Sequence, residues 1–230
     1  MLNQALMKIH PLTGASGAWV SGPPDVRAAF SFRHRGLLGG LLLVPLAFAI
    51  VFSKPAFAEN TGGHMLALAL DAAGWIFFFC YVGVRIWATL FVGGHKDRDL
   101  QTEGPYSLCR NPLYFGSLCF ALAVACFLKS AVFGVALLLA FFIYFFFVVR
   151  AEEYFLELRF QEDYRDYCRR TPRFWPRWSR FHSPPFVQVE LMRLRKEVAR
   201  LSRASLLFIL LQIVMQWRSQ PWWPQWVNLW

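Results

Sequence analysis

Between Glu103 and Ser117 the chain reads EGPYSLCRNPLYFGS, and a second polar stretch, RAEEYFLELRFQEDYRDYCRRTPRFWP, runs from Arg150 to Pro176. The first holds Tyr106, Arg110, Asn111 and Tyr114, and the second holds Glu152 and Glu153. A helix start attracts anions through its unpaired N–H groups and its dipole. Arg110, just ahead of Pro112, strengthens such a site for a carboxylate or phosphate. Tyrosines beside it offer flat faces to an aromatic ring or a cation. The glutamates add two carboxylates to the site. Together these groups suit a zwitterionic ligand that carries a ribose and a flat base. Some have plainer uses. Gly104-Pro105 punctuates a turn, Asn111 is a good helix cap, and Pro112 fits a first helical turn. Arg150 and Glu153 stand at the i,i+3 spacing of an ion pair on a solvated helix end.

The elements that must position these residues are written in the apolar blocks. The chain has 230 residues, 57% hydrophobic and 18% aromatic, too apolar for an ordinary soluble domain. Gly36–Phe52, Leu113–Leu128 and Ala131–Val149 carry no charge, and Met65–Val92 carries only Asp71 and Arg85. At about 1.5 Å per residue the last two blocks reach roughly 24 and 28 Å, close to the hydrocarbon thickness. The fold class expected is an all-α integral membrane protein with four core transmembrane helices, a cytoplasmic helical cap and a C-terminal interfacial or partly inserted helix. Lys and Arg set its orientation. They gather before the first block (Lys8, Arg27, Arg33, Arg35), after the second (Lys96, Arg98, Arg110) and after the fourth (from Arg150 to Arg180), leaving Lys54 and Lys129 in the other turns. Both termini are therefore expected on the cytoplasmic side of an inner or plasma membrane. Blocks three and four make a hairpin that returns Arg150 to the neighbourhood of Arg110.

The net charge of +10 belongs mainly to that face, where anionic lipid headgroups are the partner expected. No nucleic-acid motif accompanies it. Cys80, Cys109, Cys119, Cys126 and Cys168 form no metal-binding spacing, so they read as packing thiols and no metal is expected. The stretch from Arg33 to Asn60 has the basic, apolar and small-residue parts of a signal peptide ending at Ala58, but its long lead favours an uncleaved span. Phe186–Arg203 is a basic amphipathic helix of the kind that lies on a bilayer, and Ser205–Trp217 is apolar but short for a span. Trp222, Trp223, Trp226 and Trp230 follow, suited to an interface. Three regions result: an arm over 1–35, a transmembrane core over 36–182, and an extension over 183–230.

The two polar stretches, with the hairpin between them, resemble the isoprenylcysteine carboxyl methyltransferases and their phospholipid methyltransferase relatives. The likeness runs from about Leu100 to Pro176 and rests on GPYSLCRNPLY, the Glu152-Glu153 pair and the tyrosines that follow. It implies an integral membrane enzyme that uses S-adenosylmethionine to methylate a lipid or an isoprenyl-thioether carboxylate. By position, Tyr106, Arg110, Asn111, Tyr114, Glu152 and Glu153 would line the cofactor pocket, with Arg110, Glu152 and Glu153 the catalytic candidates and Tyr164 and Tyr167 in the cap. Asn111 replaces the family's usual histidine, which retains hydrogen bonding but removes imidazole chemistry. Gln161 replaces a residue that is commonly small.

Two other functions fit a helical membrane core. One is a reductase of the steroid type, which would need more phosphate-binding groups than the sequence offers and lacks a GxGxxG element. The other is a scaffold without activity, with Asn111 as its mark. Arg85 stands apart. An arginine inside a span is a functional candidate by default, although snorkelling toward the headgroups is open to it. Asp71 lies about 21 Å along the helix from Arg85, too far to pair with it.

Overall fold

The computed structural model describes Phe48, Val51, Phe52 and residues 61–92, 99–218 and 220–224. The expected arm, most of the expected first span, the signal-like cleavage point, Lys96, Arg98, Trp226 and Trp230 lie outside the described residues. Among those described, all regular structure is helical: α1 (Thr61–Val92), α2 (Pro105–Leu108), α3 (Pro112–Leu128), α4 (Ala131–Arg170), a 3-10 turn (Trp178–Arg180) and α5 (Leu191–Arg218). By length and composition α1, α4 and α5 can each cross a membrane, and α3 is a shorter apolar helix of 17 residues.

Helices α1 and α3 pack side by side. Gly74 lets them approach, because a Cβ there would stand 2.6 Å from the Phe127 ring. The buried core joins Phe78 and Tyr81 of α1, Cys119, Ala123 and Phe127 of α3, and Leu201 and Phe208 of α5. Phe208 lies 4.6 Å from the Phe78 ring and 5.3 Å from the Phe127 ring. A two-residue turn then reverses the chain. Lys129 takes a left-handed conformation at the end of α3, and Ser130 caps α4 by accepting from the Phe133 N–H. Lys129 also bonds Asp71 at 2.7 Å, so Asp71 serves the turn opposite the polar stretches. The outer faces of the helices show large apolar side chains such as Ile76, Phe79, Ile143 and Phe147. Such a surface matches lipid rather than water.

Helix α4 continues well beyond its charge-free part. Where the sequence placed a span followed by a separate cap, one 40-residue helix runs from Ala131 to Arg170, bent at Gln161 (φ 45°, ψ −115°). That conformation is nearly glycine-only, which accounts for the small residue usual there. The tail differs more. The expected amphipathic and apolar segments, read separately, form one continuous α5. It packs on the core through Leu201 and Phe208 and by length and composition can cross a membrane, where the sequence points to an interfacial or partly inserted helix.

Candidate active site

The site begins at the doorway before α3. Gly104 has φ +60°, and a side chain there would run into the Phe91 ring, so only glycine fits this turn. Pro105 opens α2, and the returning segment after α4 then straps the doorway down. The Gly104 N–H donates to the His182 carbonyl (2.9 Å), the Arg110 N–H to the Pro172 carbonyl (2.9 Å) and the Arg177 N–H to the Leu108 carbonyl (3.0 Å). The Tyr167 hydroxyl donates to the Tyr106 carbonyl at 2.7 Å. The two polar stretches, separated by a whole hairpin in sequence, are thus stitched together through backbone groups that would otherwise be buried unpaired.

At the centre of this junction stands Glu153. Arg173 grips it through two bonds, Nε to Oε1 at 3.1 Å and Nη2 to Oε2 at 2.6 Å. Arg110 Nη1 approaches the same carboxylate at 3.4 Å and donates to Cys168 Sγ at 2.8 Å. The Asn111 amide completes the set, donating to the Arg173 carbonyl at 3.0 Å and to Glu153 at 3.4 Å. Asn111 therefore does not use its side chain to cap α3. It is spent on joining the two stretches instead. Glu152 points another way, as neighbours on a helix must, and accepts from the Tyr114 hydroxyl at 2.9 Å. The expected Arg150–Glu153 pair is not formed. Arg150 lies instead over the Phe146 ring at 4.3 Å.

A cavity of about 380 Å³ opens here, lined by Arg110, Arg150, Glu153, Tyr154, Glu157, Tyr164, Cys168 and Arg173. Of the six residues expected to line a pocket, Arg110 and Glu153 do so. Asn111 reaches it through Glu153, and Glu152 and Tyr114 form a pair beside it. Tyr106 is buried behind it, packed with Ala88 and Phe91. Tyr164 and Tyr167, expected in the cap, are both buried, and Tyr164 faces the cavity. The sequence reading missed Arg150, Tyr154, Glu157, Cys168 and Arg173 as lining. The only hint for Arg173 was its place in the strapping segment, just after Pro172.

The electrostatics follow from this packing. Burial opposes the Arg110 charge, but Glu153, then Cys168 and Tyr164, more than offset it and hold the guanidinium above its ordinary pKa. Burial pushes the Cys109 thiol up to about 11. Burial, then the charge of Glu152, raises Tyr106 well above the ordinary phenol range. Tyr106 and Cys109 are therefore neutral near pH 7, while Arg110 is fixed as a cation. Arg110 Nε is buried and meets no acceptor among the described residues. No cluster of His, Cys, Asp or Glu among those residues could hold a metal ion.

Arg85 resolves differently from either expectation. Its Nε donates to Glu197 of α5 at 2.6 Å, and Arg200 bonds the same carboxylate. Gly116 makes room for its stem. It is a strut between α1 and α5, with Glu197 buried and Arg85 half-buried.

Residues 63–163 match the profile of the phospholipid methyltransferase family. The chain is also 35% identical over 187 residues to the cobalt-zinc-cadmium resistance protein CzcN of Cupriavidus metallidurans, covering 81% of this chain and 82% of that one. The chain belongs to the phospholipid methyltransferase family. A second relative is the nickel-cobalt-cadmium resistance protein NccN of Alcaligenes xylosoxydans xylosoxydans, 33% identical over 176 residues, 76% of this chain and 80% of the relative. No solved structure matches. The family match takes in the doorway, the hairpin and both glutamates. Arg173 and α5 lie beyond it, so in this phospholipid methyltransferase family member the Glu153 grip is completed from outside the matched region.

Proposed function

We propose that the protein transfers a methyl group from S-adenosylmethionine to a membrane-embedded acceptor, a lipid or an isoprenyl-thioether carboxylate, at the cytoplasmic face. The observation that carries this reading is the meeting of Arg110 and Glu153 in one cavity, each from a different family motif. The residues present fit the cofactor. Arg110 keeps a buried Nε donor without an acceptor, which suits an incoming carboxylate. Arg173 adds a second guanidinium, Glu153 and Glu157 supply acceptors for an ammonium and ribose hydroxyls, and Tyr154 and Tyr164 offer flat faces for a base. When bound, S-adenosylmethionine supplies an electrophilic methyl group on a sulfonium centre.

The chain's own contribution is alignment and electrostatics. Arg173 and Asn111 fix Glu153, and the strap of residues 171–182 fixes Arg110. A carboxylate acceptor needs no base and only exclusion of water. An amine acceptor must lose a proton, a role for Glu152, which the Tyr114 hydroxyl holds beside the cavity. That Asn111 is bonded into the site, where the family carries histidine, supports a working centre over an emptied scaffold.

The test is methyl transfer itself. Protein reconstituted with a lipid extract is given S-adenosylmethionine labelled on the methyl group, and label in the lipid phase is counted. Time-dependent label that disappears with Glu153→Gln is expected. Lipid that stays unlabelled at every cofactor concentration, with protein that remains folded, would overturn the reading.

A further inference from the structure

Helix α5 runs from the doorway end of the bundle to the opposite end. Near its start Glu197 meets Arg85, whose stem lies against Gly116 in the opening turns of α3. Midway, Phe208 sits among the rings of Phe78, Phe120 and Phe127. Further on, Leu211 and Met215 pack on Leu128 and Phe133, which flank the turn between α3 and α4. Beyond the helix, Trp223 stacks on Phe52 with ring centroids 5.9 Å apart, and its Nε1 donates to the Val51 carbonyl at 3.0 Å. From Leu201 to Arg218 the helix rises about 26 Å, close to the reach of α3 beside it. Charge divides along the same line. Arg193, Arg195, Lys196, Arg200 and Arg203 lie in the first half of α5, whereas Arg218 is the one charged residue from Ala204 to Trp230. At the far end Ile213, Gln216, Trp217, Gln220 and Trp222 line a cavity of about 480 Å³, with no charged side chain among them. Trp217 and Trp222 are exposed, their rings 6.4 Å apart. The exposed Leu206, Leu207, Ile209 and Leu210 lead up to them along α5.

We propose that α5 crosses the membrane and that Trp217, Trp222 and the two glutamines form an interaction surface on the face opposite the cytoplasmic doorway. The partner fitting it is the headgroup layer of the outer leaflet. An excess of Lys and Arg marks the cytoplasmic end of a span, and Trp favours the boundary between membrane and water. Indole N–H groups and carboxamides can bond ester and phosphate oxygens while the rings stay against the lipid chains. Its lack of charge sets this end apart from the arginine-rich doorway face, which suits anionic headgroups. The residues after α5 therefore lie across the membrane from the methyl-transfer site, which departs from the expectation of two cytoplasmic termini. The inference goes beyond methyl transfer and draws on no residue of that cavity.

The experiment uses the full chain carrying an epitope tag before Met1 or after Trp230, in right-side-out and inverted membrane vesicles treated with a protease. The tag after Trp230 is expected to be lost from right-side-out vesicles alone, and the tag before Met1 from inverted vesicles alone. Loss of both tags from the same vesicles, or the reverse assignment, would overturn the proposal. The surface itself is read by fluorescence in bilayers, comparing wild type with the Trp217→Phe, Trp222→Phe double variant. The emission removed by the substitutions is expected to be quenched most by lipid brominated near its glycerol end. Emission quenched most by lipid brominated at the chain ends, or by aqueous acrylamide alone, would sink the assignment of this surface to the headgroup layer.

Discussion

The strut between α1 and α5 gives a prediction whose size follows from its geometry. Arg85 and Glu197 meet at 2.6 Å with side chains only 13% and 6% exposed, and Arg200, 55% exposed, holds the other side of Glu197. Removing one partner of a buried pair strands the other, at about 3–5 kcal/mol. Glu197→Ala strands Arg85 among apolar helices and should cost that full amount. Arg85→Ala leaves Glu197 still bonded to Arg200, so the loss falls to about 1–3 kcal/mol, the scale of one charged hydrogen bond. Replacing both by leucine removes the charges together and should cost about 1 kcal/mol or less. The assay is unfolding of the purified protein by sodium dodecyl sulfate in mixed micelles, followed by far-ultraviolet circular dichroism. The ordering, Glu197→Ala worst and the double leucine mildest, is the signature. Equal losses for the two alanine variants, or a Glu197→Ala protein as stable as wild type, would refute the reasoning.

Other consequences are local. Gln161→Gly relieves a left-handed backbone position and should raise stability by about 1 kcal/mol, seen as a later midpoint in the same titration. Gly104→Ala must accept both a positive φ and a clash with Phe91, so a loss of about 2–5 kcal/mol is expected. The Cys109 thiol, raised by burial to about 11, favours the folded state fully below its unfolded pKa of about 8.5. That contribution is lost as pH climbs from there through about 11. Thermal midpoints of wild type should therefore fall more steeply over that window than those of Cys109→Ala; parallel curves would contradict the assignment.

Much of this arrangement is legible in the sequence because it is written in charge and punctuation. The charge-free blocks give the hairpin, Pro112 marks the start of α3, and the hairpin in turn brings Arg110 near the two glutamates. What stays hidden depends on partners far apart in the chain. Arg173 looks like one more basic residue until the strap brings it onto Glu153. Asn111 reads as a cap by type, yet its amide finds stronger partners across the junction. Glu152 and Glu153 read as a pair, while the helical turn between them sends each to a different neighbour. Arg85 cannot be assigned without Glu197, which lies 112 residues away. The amphipathic Phe186–Arg203 and apolar Ser205–Trp217 segments are told apart by composition, but a helix continues through such a change when one face stays apolar. Leu201 and Phe208 keep that face intact.

The central claim is that the junction of the two motifs holds S-adenosylmethionine. Its most direct test is calorimetry of the cofactor against the purified full chain and its Arg110→Ala variant. Binding by wild type in the roughly 1 μM–1 mM range of enzyme substrates is predicted, weakened at least about tenfold by loss of the guanidinium. A folded wild-type protein that gives no binding heat, or an Arg110→Ala protein that binds equally well, would contradict the account.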